Sequence, residues 1–321
     1  MFFLMKDRVK NLLSNSSIIG DPLKNFLAWR AQINKDLYLY RNKNIYNRIL
    51  PRPEGNALIA ELVSGDRPMM ISRFGTVELL CVIQYLRGKK YSEFSIYKMI
   101  NNAGFFMSDT KELDQYCEIF LESAKHIDLL GVWFHDGEVE VINKCCPDAN
   151  LVRLQTLQPY YHQNPWSKNL EGKKVLVIHP FSKTITEQYN QHQEVLFQDK
   201  NVLPKFKLMT LRAVQSIGGT KTEFKTWFDA YYWMQDRIRE YDFDIAIIGC
   251  GGYGLPLAAY VKSLGKKAIH LGGATQILFG IRGKRWDERP FIESLYNQYW
   301  VRPSAEETPQ TNEKIENGCY W

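Results

Sequence analysis

The sequence predicts an α/β protein: a mostly parallel, doubly wound, Rossmann-like sheet with helices on both faces and a helical N-terminal extension. Three observations carry this expectation. Short apolar runs recur along the chain, at Met69–Ser72, Ile127–Phe134, Val175–His179, Phe206–Leu211, Ile245–Ile248 and Ala268–Leu271. Between them lie longer stretches with helical spacing; in 111–125, Leu113, Cys117, Phe120, Leu121 and Ala124 share one stripe. The last unit, Asp244–Gly273, reads strand, glycine turn, helix, strand. Strands alternating with helices at this spacing build a parallel sheet covered on both sides.

Taken in order, residues 1–50 read as a helical extension rich in Asn, Lys, Arg and Tyr, ending at Pro51 and Pro53. Residues 51–300 read as one α/β domain. Ala57–Val63 is a helix, Met69–Ser72 a strand and Val77–Leu86 a second helix. The strand at 175–179 follows the turn Glu171-Gly-Lys-Lys. The helix at 223–240 directs Phe224, Trp227, Tyr231, Met234 and Ile238 inward, an aromatic stripe that suits a core. Residues 301–321 form an irregular arm whose closing Cys319-Tyr320-Trp321 is apolar enough to pack.

A chain of 321 residues with 45% apolar content can bury a substantial core. Its net charge of +6 is modest, and no lysine or arginine block is dense enough to wrap a nucleic acid. The excess fits a phosphate-bearing small ligand or an anionic membrane surface. The six cysteines (81, 117, 145, 146, 250 and 319) show neither zinc spacing nor a paired framework, as expected of reduced thiols in a cytoplasmic protein. No apolar run approaches the roughly 18 residues that span a bilayer. The start, Met1 to Leu13, is too interrupted by charge for a signal peptide. Residues 1–15 read equally as an amphipathic helix on the inner face of the cytoplasmic membrane or as a helix docked on the domain.

The glycine turn is Gly249-Cys250-Gly251-Gly252-Tyr253-Gly254. Strand, glycines and helix together aim backbone N–H groups and a helix N-terminus at a phosphate. Pro256 suits the first turn of that helix. The spacing Gly249-x-Gly251-x-x-Gly254 matches a dinucleotide fingerprint, which also requires an acidic residue closing the second strand. His270-Leu271-Gly272-Gly273 stands there instead, so no NAD is expected. The plainer alternative is that the glycines only let helix and strand pack closely.

In an open parallel sheet, ligands gather at the carboxyl ends of the strands. The segments there are Ser72-Arg73-Phe74-Gly75-Thr76-Val77-Glu78, then His179 to Lys183, then Arg212 with Gln215 and Ser216. The glycine turn, Gly272 to Gln276, and the basic cluster Arg282-Gly283-Lys284-Arg285 follow. One rim thus collects cations, N–H donors and few carboxylates, an arrangement suited to a diphosphate that gains charge as it leaves. Each residue alone has a structural alternative: an ion pair for Arg73, a strand-end contact for His179, a solvated turn for 282–285.

The segment Ile71-Ser-Arg-Phe-Gly-Thr-Val-Glu-Leu resembles the Arg-Phe-Gly-Asp-Gly-Glu segment of bacterial glycosyltransferases with the GT-D fold. The final β-α-β looks like that family's C-terminal unit. Trp133, Pro165-Trp166, Gly172 to Phe181 and Leu203-Pro204 are similar to stretches in relatives from surface-polysaccharide (capsule and O-antigen) gene clusters. The likeness covers roughly residues 55–290. It implies a nucleotide-diphosphate sugar donor, a UDP-sugar foremost, a glycan or lipid-linked oligosaccharide acceptor, and often a divalent metal (Mg or Mn) on an Asp-x-Glu pair. Here Thr76 stands in place of the first carboxylate, leaving Glu78 as the lone candidate metal ligand. Either Glu78 helps hold a loosely bound ion, or Arg73, Lys183 and the 282–285 cluster neutralise the leaving group without one.

The acceptor hydroxyl needs a general base. Glu78, Asp136 (in His135-Asp136-Gly137-Glu138) and His162 (in the aromatic segment Pro159–Trp166) are the candidates. The sequence therefore points to a glycosyltransferase. An NAD(P)-dependent sugar oxidoreductase or epimerase, or a non-enzymatic nucleotide-binding scaffold protein, is the competing assignment.

Overall fold

The computed structural model describes Trp29, Ile33 and residues 36–321, which belong to two compact units, Met1–Arg48 and Ile49–Trp321. In the first, residues 36–41 are helical, as is Lys43–Tyr46. The membrane-binding helix expected at 1–15 lies outside the described residues. Among the described residues no helix is long and apolar enough to cross a membrane.

The second unit holds one eight-stranded sheet. Its strands are β1 (Ile49–Leu50), β2 (Met69–Ser72), β3 (Leu129–Val132), β4 (Asn150–Arg153), β5 (Lys174–His179), β6 (Lys207–Arg212), β7 (Ile245–Ile248) and β8 (Lys267–His270). Their order is β1-β4-β3-β2-β8-β7-β5-β6, and every pairing is parallel.

Seven helices matter below: α1 (Arg52–Ser64), α2 (Thr76–Leu86), α3 (Lys111–Ala124), α4 (Glu138–Cys145), α5 (Ser182–His192), α6 (Trp227–Arg239) and α7 (Gly254–Ser263). All residues of β2, β3 and β7 are buried, as strands covered on both faces must be. Alternate strand residues (Ile71, Val175, Val177, Ile245, Ile247, Ile269) share one core with Ile59 and Val63 of α1 and Ile185 and Tyr189 of α5. On the opposite face, α7 packs against β2, β7, β8 and α3. There α3, α6 and α7 bury Phe120, Trp227, Met234, Leu257 and Val261.

The expected strands at 69–72, 175–179, 206–211, 245–248 and 268–271 all form, to within a residue. The run expected to extend from Ile127 to Phe134 is shorter, because Phe134 turns left-handed at φ 66°. Its N–H then reaches the Glu138 carboxylate at 2.9 Å rather than a neighbouring strand. The helix expected from 223 starts at Trp227, where Thr226 and Asp229 close a capping box. Strands β1 and β4 and helices α4 and α5 went unanticipated. β4 buries only two of its four residues, and α5 carries few apolar residues among Ser, Thr, Gln, Glu and Asn, so their periodicity is faint.

Gly254 opens α7 directly against β8. A Cβ there would stand 2.3 Å from His270 Nε2. Gly254→Ala is therefore expected to cost about 1–3 kcal/mol through overpacking, read as a lowered denaturation midpoint. An unchanged midpoint would contradict this close seat.

Candidate functional site

The carboxyl ends of the central strands β2, β8, β7 and β5 meet at one edge of the sheet. The chain leaves β5 toward β6 on one side, whereas β7 leads to β8 on the other. That reversal opens a crevice between the loops. A cavity of about 300 Å³ sits there, and Arg73, His179, Gly251 and Arg285 all line it.

Arg73 and Glu78 come from the loop and first turn that follow β2. A Cβ on Gly75 would fall 1.9 Å from Glu78 Oε2, because the carboxylate folds back over the glycine. Burial raises the Glu78 carboxyl above the usual carboxylate range, while Arg73 and the N–H groups of Val77 and Glu78 oppose that rise. The Arg73 guanidinium lies 4.5 Å from the Trp133 ring centroid. Trp133 Nε1 donates to the Phe74 carbonyl at 3.1 Å. Below this loop, Glu138 is fully buried and accepts from the N–H groups of Trp133 and Phe134. Burial pushes Glu138 up to about 7.

Thr76 Oγ1 is 2.9 Å from His135 Nε2, and burial together with Arg73 lowers that imidazole to about 4. These residues do not suit a divalent ion. The Thr76 hydroxyl is engaged by His135, and the Glu78 carboxylate shares its surroundings with the Arg73 cation. Among the described residues, no group of three or more His, Cys, Asp or Glu is placed to hold a metal.

The glycine turn divides by position. Gly249 and Gly251 line the cavity. A Cβ on Gly249 would meet the Gly272 carbonyl at 2.5 Å and His179 Cδ2 at 2.8 Å, so three strand-end loops touch there. Gly251 has φ +56°, and its Cβ would stand 2.9 Å from the Ala103 carbonyl. Gly252 and Gly254 are outside the lining. The Gly252 carbonyl accepts from Tyr116 Oη at 3.2 Å, and Gly254 seats His270. Tyr253 reaches the cavity while its ring stacks on Trp227, centroids 4.5 Å apart. The first and second glycines thus stand at the cavity wall, whereas Gly252 and Gly254 serve the packing of neighbouring elements.

His179 accepts the Phe181 N–H on Nδ1 at 3.0 Å, which places its own proton on Nε2. Burial lowers it to about 3, so it is a neutral donor at pH 7. His270, also near 3, pairs through Nδ1 with Ser72 Oγ at 3.1 Å; Ser72 lies beneath the lining. Gly272 and Gly273 line the cavity, as does Gln276, whose amide donates to the carbonyls of Ile281, Arg282 and Tyr320. Gln276 therefore positions the basic loop.

Within that loop Arg285 alone reaches the cavity. Arg282 faces Asp287 at 3.9 Å and the Tyr296 ring, and Lys284 donates to the Asn317 carbonyl at 3.2 Å. Lys183 is also outside the lining, since its Nζ pairs with Glu306 at 2.9 Å. The N-terminus of α5 is already filled: buried Glu307 accepts from the N–H groups of Lys183 and Thr184. Asp136 is exposed and does not line the cavity. His162 Nε2 bonds the Thr156 carbonyl at 2.9 Å, in a segment whose Tyr160 and Trp166 are packed in the core.

Several lining residues went unforeseen. Asn102 arrives on the segment after the short helix Glu93–Lys98, and Arg289 follows the basic loop. Glu316, Tyr320 and Trp321 come from the C-terminal arm. For the arm, the apolar Cys-Tyr-Trp ending was the one available signal.

No family model matches this chain, and no curated protein matches it. A solved structure described as the selenomethionine-substituted form of domain of unknown function 1792 aligns at 13% identity and TM-score 0.42, over 70% of this chain and 78% of that one. A second, described as that domain having a distinct glycosyltransferase fold, aligns at 14% identity and TM-score 0.43, over 83% of this chain and 94% of that one. Likeness at this level says nothing of activity.

The imidazoles give a pH test. His179 and His270 sit near 3 in the fold against an ordinary 6.5, so between those values the unfolded chain binds more protons. Their contribution to stability is complete above about pH 6.5 and is lost as pH falls toward 3, by at most about 1.4 kcal/mol per pH unit for each ring. Glu138, pushed up to about 7, works in the opposite direction over part of this window, so the test is a difference: between pH 6.5 and pH 4, His270→Asn should lose less of its thermal midpoint than wild type does. An equally steep slope in the variant would contradict the assignment.

Proposed function

We propose that this protein is a glycosyltransferase, moving a sugar from a nucleotide-diphosphate sugar, a UDP-sugar foremost, to a glycan or lipid-linked acceptor in bacterial surface-polysaccharide synthesis. The observation that carries the reading is one shared cavity at four strand ends, lined by Arg73, Arg285, His179, Gly249, Gly251 and Gly272. The resemblance of Ile71–Leu79 to the glycosyltransferase segment supports it independently.

Breaking the bond from sugar to diphosphate leaves negative charge on the departing oxygens. Fixed cations and N–H donors around them stabilise that charge more than the ground state. Arg73 and Arg285 supply the cations. His179 supplies a neutral donor whose tautomer is already set, so no proton has to move. Glu78 is the one candidate base lining the cavity, and its raised carboxyl suits accepting the acceptor hydroxyl's proton as the new glycosidic bond forms. The donor set around Thr76 and Glu78 does not suit a metal ion, so no step is assigned to one.

Purified protein incubated with UDP-, GDP- and dTDP-sugars should release nucleotide from at least one of them. Arg73→Ala is expected to lower kcat/KM by about 10²–10³, and Glu78→Gln to lower kcat by about 10²–10⁴. Most of the activity should survive EDTA. Absence of both binding and turnover across the panel would overturn the assignment; wild-type rates in both variants would overturn the site.

A further inference from the structure

At the cavity rim, Glu316 of the C-terminal arm is held from two sides. Its Oε2 accepts from Arg285 Nη2, and its Oε1 accepts from Asn102 Nδ2 at 2.8 Å, with Lys98 Nζ at 3.9 Å. A guanidinium, an amide and an ammonium around one two-oxygen anion make up a donor set of the kind that also recognises phosphoryl groups. Arg285 is held independently of Glu316: it donates to Tyr320 Oη at 3.1 Å and lies 4.7 Å from that ring's centroid.

Two of the arm's acidic anchors, Glu307 and Glu316, differ. Glu307 is 1% exposed and receives donors from Lys183, Thr184 and Ser304, so it is fixed. The Glu316 side chain is 41% exposed, against 31% for Arg285 and 26% for Lys98, so solvent and solutes reach this pair. Glu316 and Asn317 also hold left-handed backbone, φ 49° and 58°; asparagine accepts it readily, whereas glutamate does so at a cost. Displacing the Glu316 carboxylate removes one tether of this turn, leaving Lys284 on the Asn317 carbonyl, and so loosens it.

We propose that Arg285, Lys98 and Asn102 form an anion site which the chain occupies with its own Glu316 carboxylate, and that a phosphoryl group of an incoming diphosphate displaces Glu316 and takes its place. The diphosphate identity rests on the function proposed above; the site itself rests on the three donors. Glu316 then acts as a built-in competitor. It lowers apparent affinity by the fraction of molecules in which it is seated, and it keeps the rim cations neutralised until a ligand arrives.

Inorganic pyrophosphate is the probe, titrated calorimetrically into the full chain. Glu316→Gln should bind it about tenfold more tightly than wild type, as when roughly nine molecules in ten start with the carboxylate seated. Arg285→Ala should lose most of the binding. Equal or weaker affinity in Glu316→Gln, or wild-type affinity in Arg285→Ala, overturns the proposal. A second measurement needs no variant: amide hydrogen exchange at 315–319 in the wild-type chain should accelerate on pyrophosphate addition and stay unchanged with sodium chloride of matched ionic strength. Unaltered exchange at saturating pyrophosphate would also overturn it. Failure of every sugar nucleotide to turn over would sink the transferase reading and leave these results standing. An unaltered Glu316→Gln affinity would do the reverse.

Discussion

Burial of both faces of one parallel sheet is the constraint on which the rest of this structure depends. With apolar helices on either side, the strands have no surface to spare for polar chemistry. Function is left to the edges, and because all strands run the same way, every carboxyl end opens on the same one. Arg73, His179, the glycine turn and the Gly272 loop, scattered over two hundred positions of sequence, become neighbours for that reason alone.

Charge is settled locally along this edge. Glu138 ties down the loop that carries Trp133, and Trp133 in turn supports Arg73. Glu307 fills the N-terminus of α5, a place that a ligand phosphate would otherwise suit. Glu316 answers Arg285. The histidines take no part in this charge balance, since burial keeps both rings neutral and so makes them hydrogen-bonding groups. A cavity whose cations are partly met by the chain's own acids can stay folded without ligand and still present net donors to an anion.

Much of this was legible in the residues themselves. Runs such as Ile245–Ile248 and Val175–Ile178 are apolar throughout, as strands buried on both faces are. The glycines of 249–254 announced a tight turn, and the helix read at Val77–Leu86 forms at Thr76–Leu86. The basic rim was legible as a list but not as a geometry. Arg285 belongs to the cavity whereas Lys183, Arg282 and Lys284 find partners elsewhere, and neighbours that distant in sequence leave no local pattern.

Sequence alone therefore determined the alternation of strand and helix, the direction of the sheet and the edge at which polar groups collect, because these follow from periodicity and from turn chemistry. Tertiary structure alone decided which cations face the cavity, that Gly252 and Gly254 serve packing, and that the last residues of the chain close the rim. Those outcomes depend on through-space contacts such as Glu316 with Arg285 and Gly249 with His179. Their strength is set by distance and desolvation, which the order of residues does not encode.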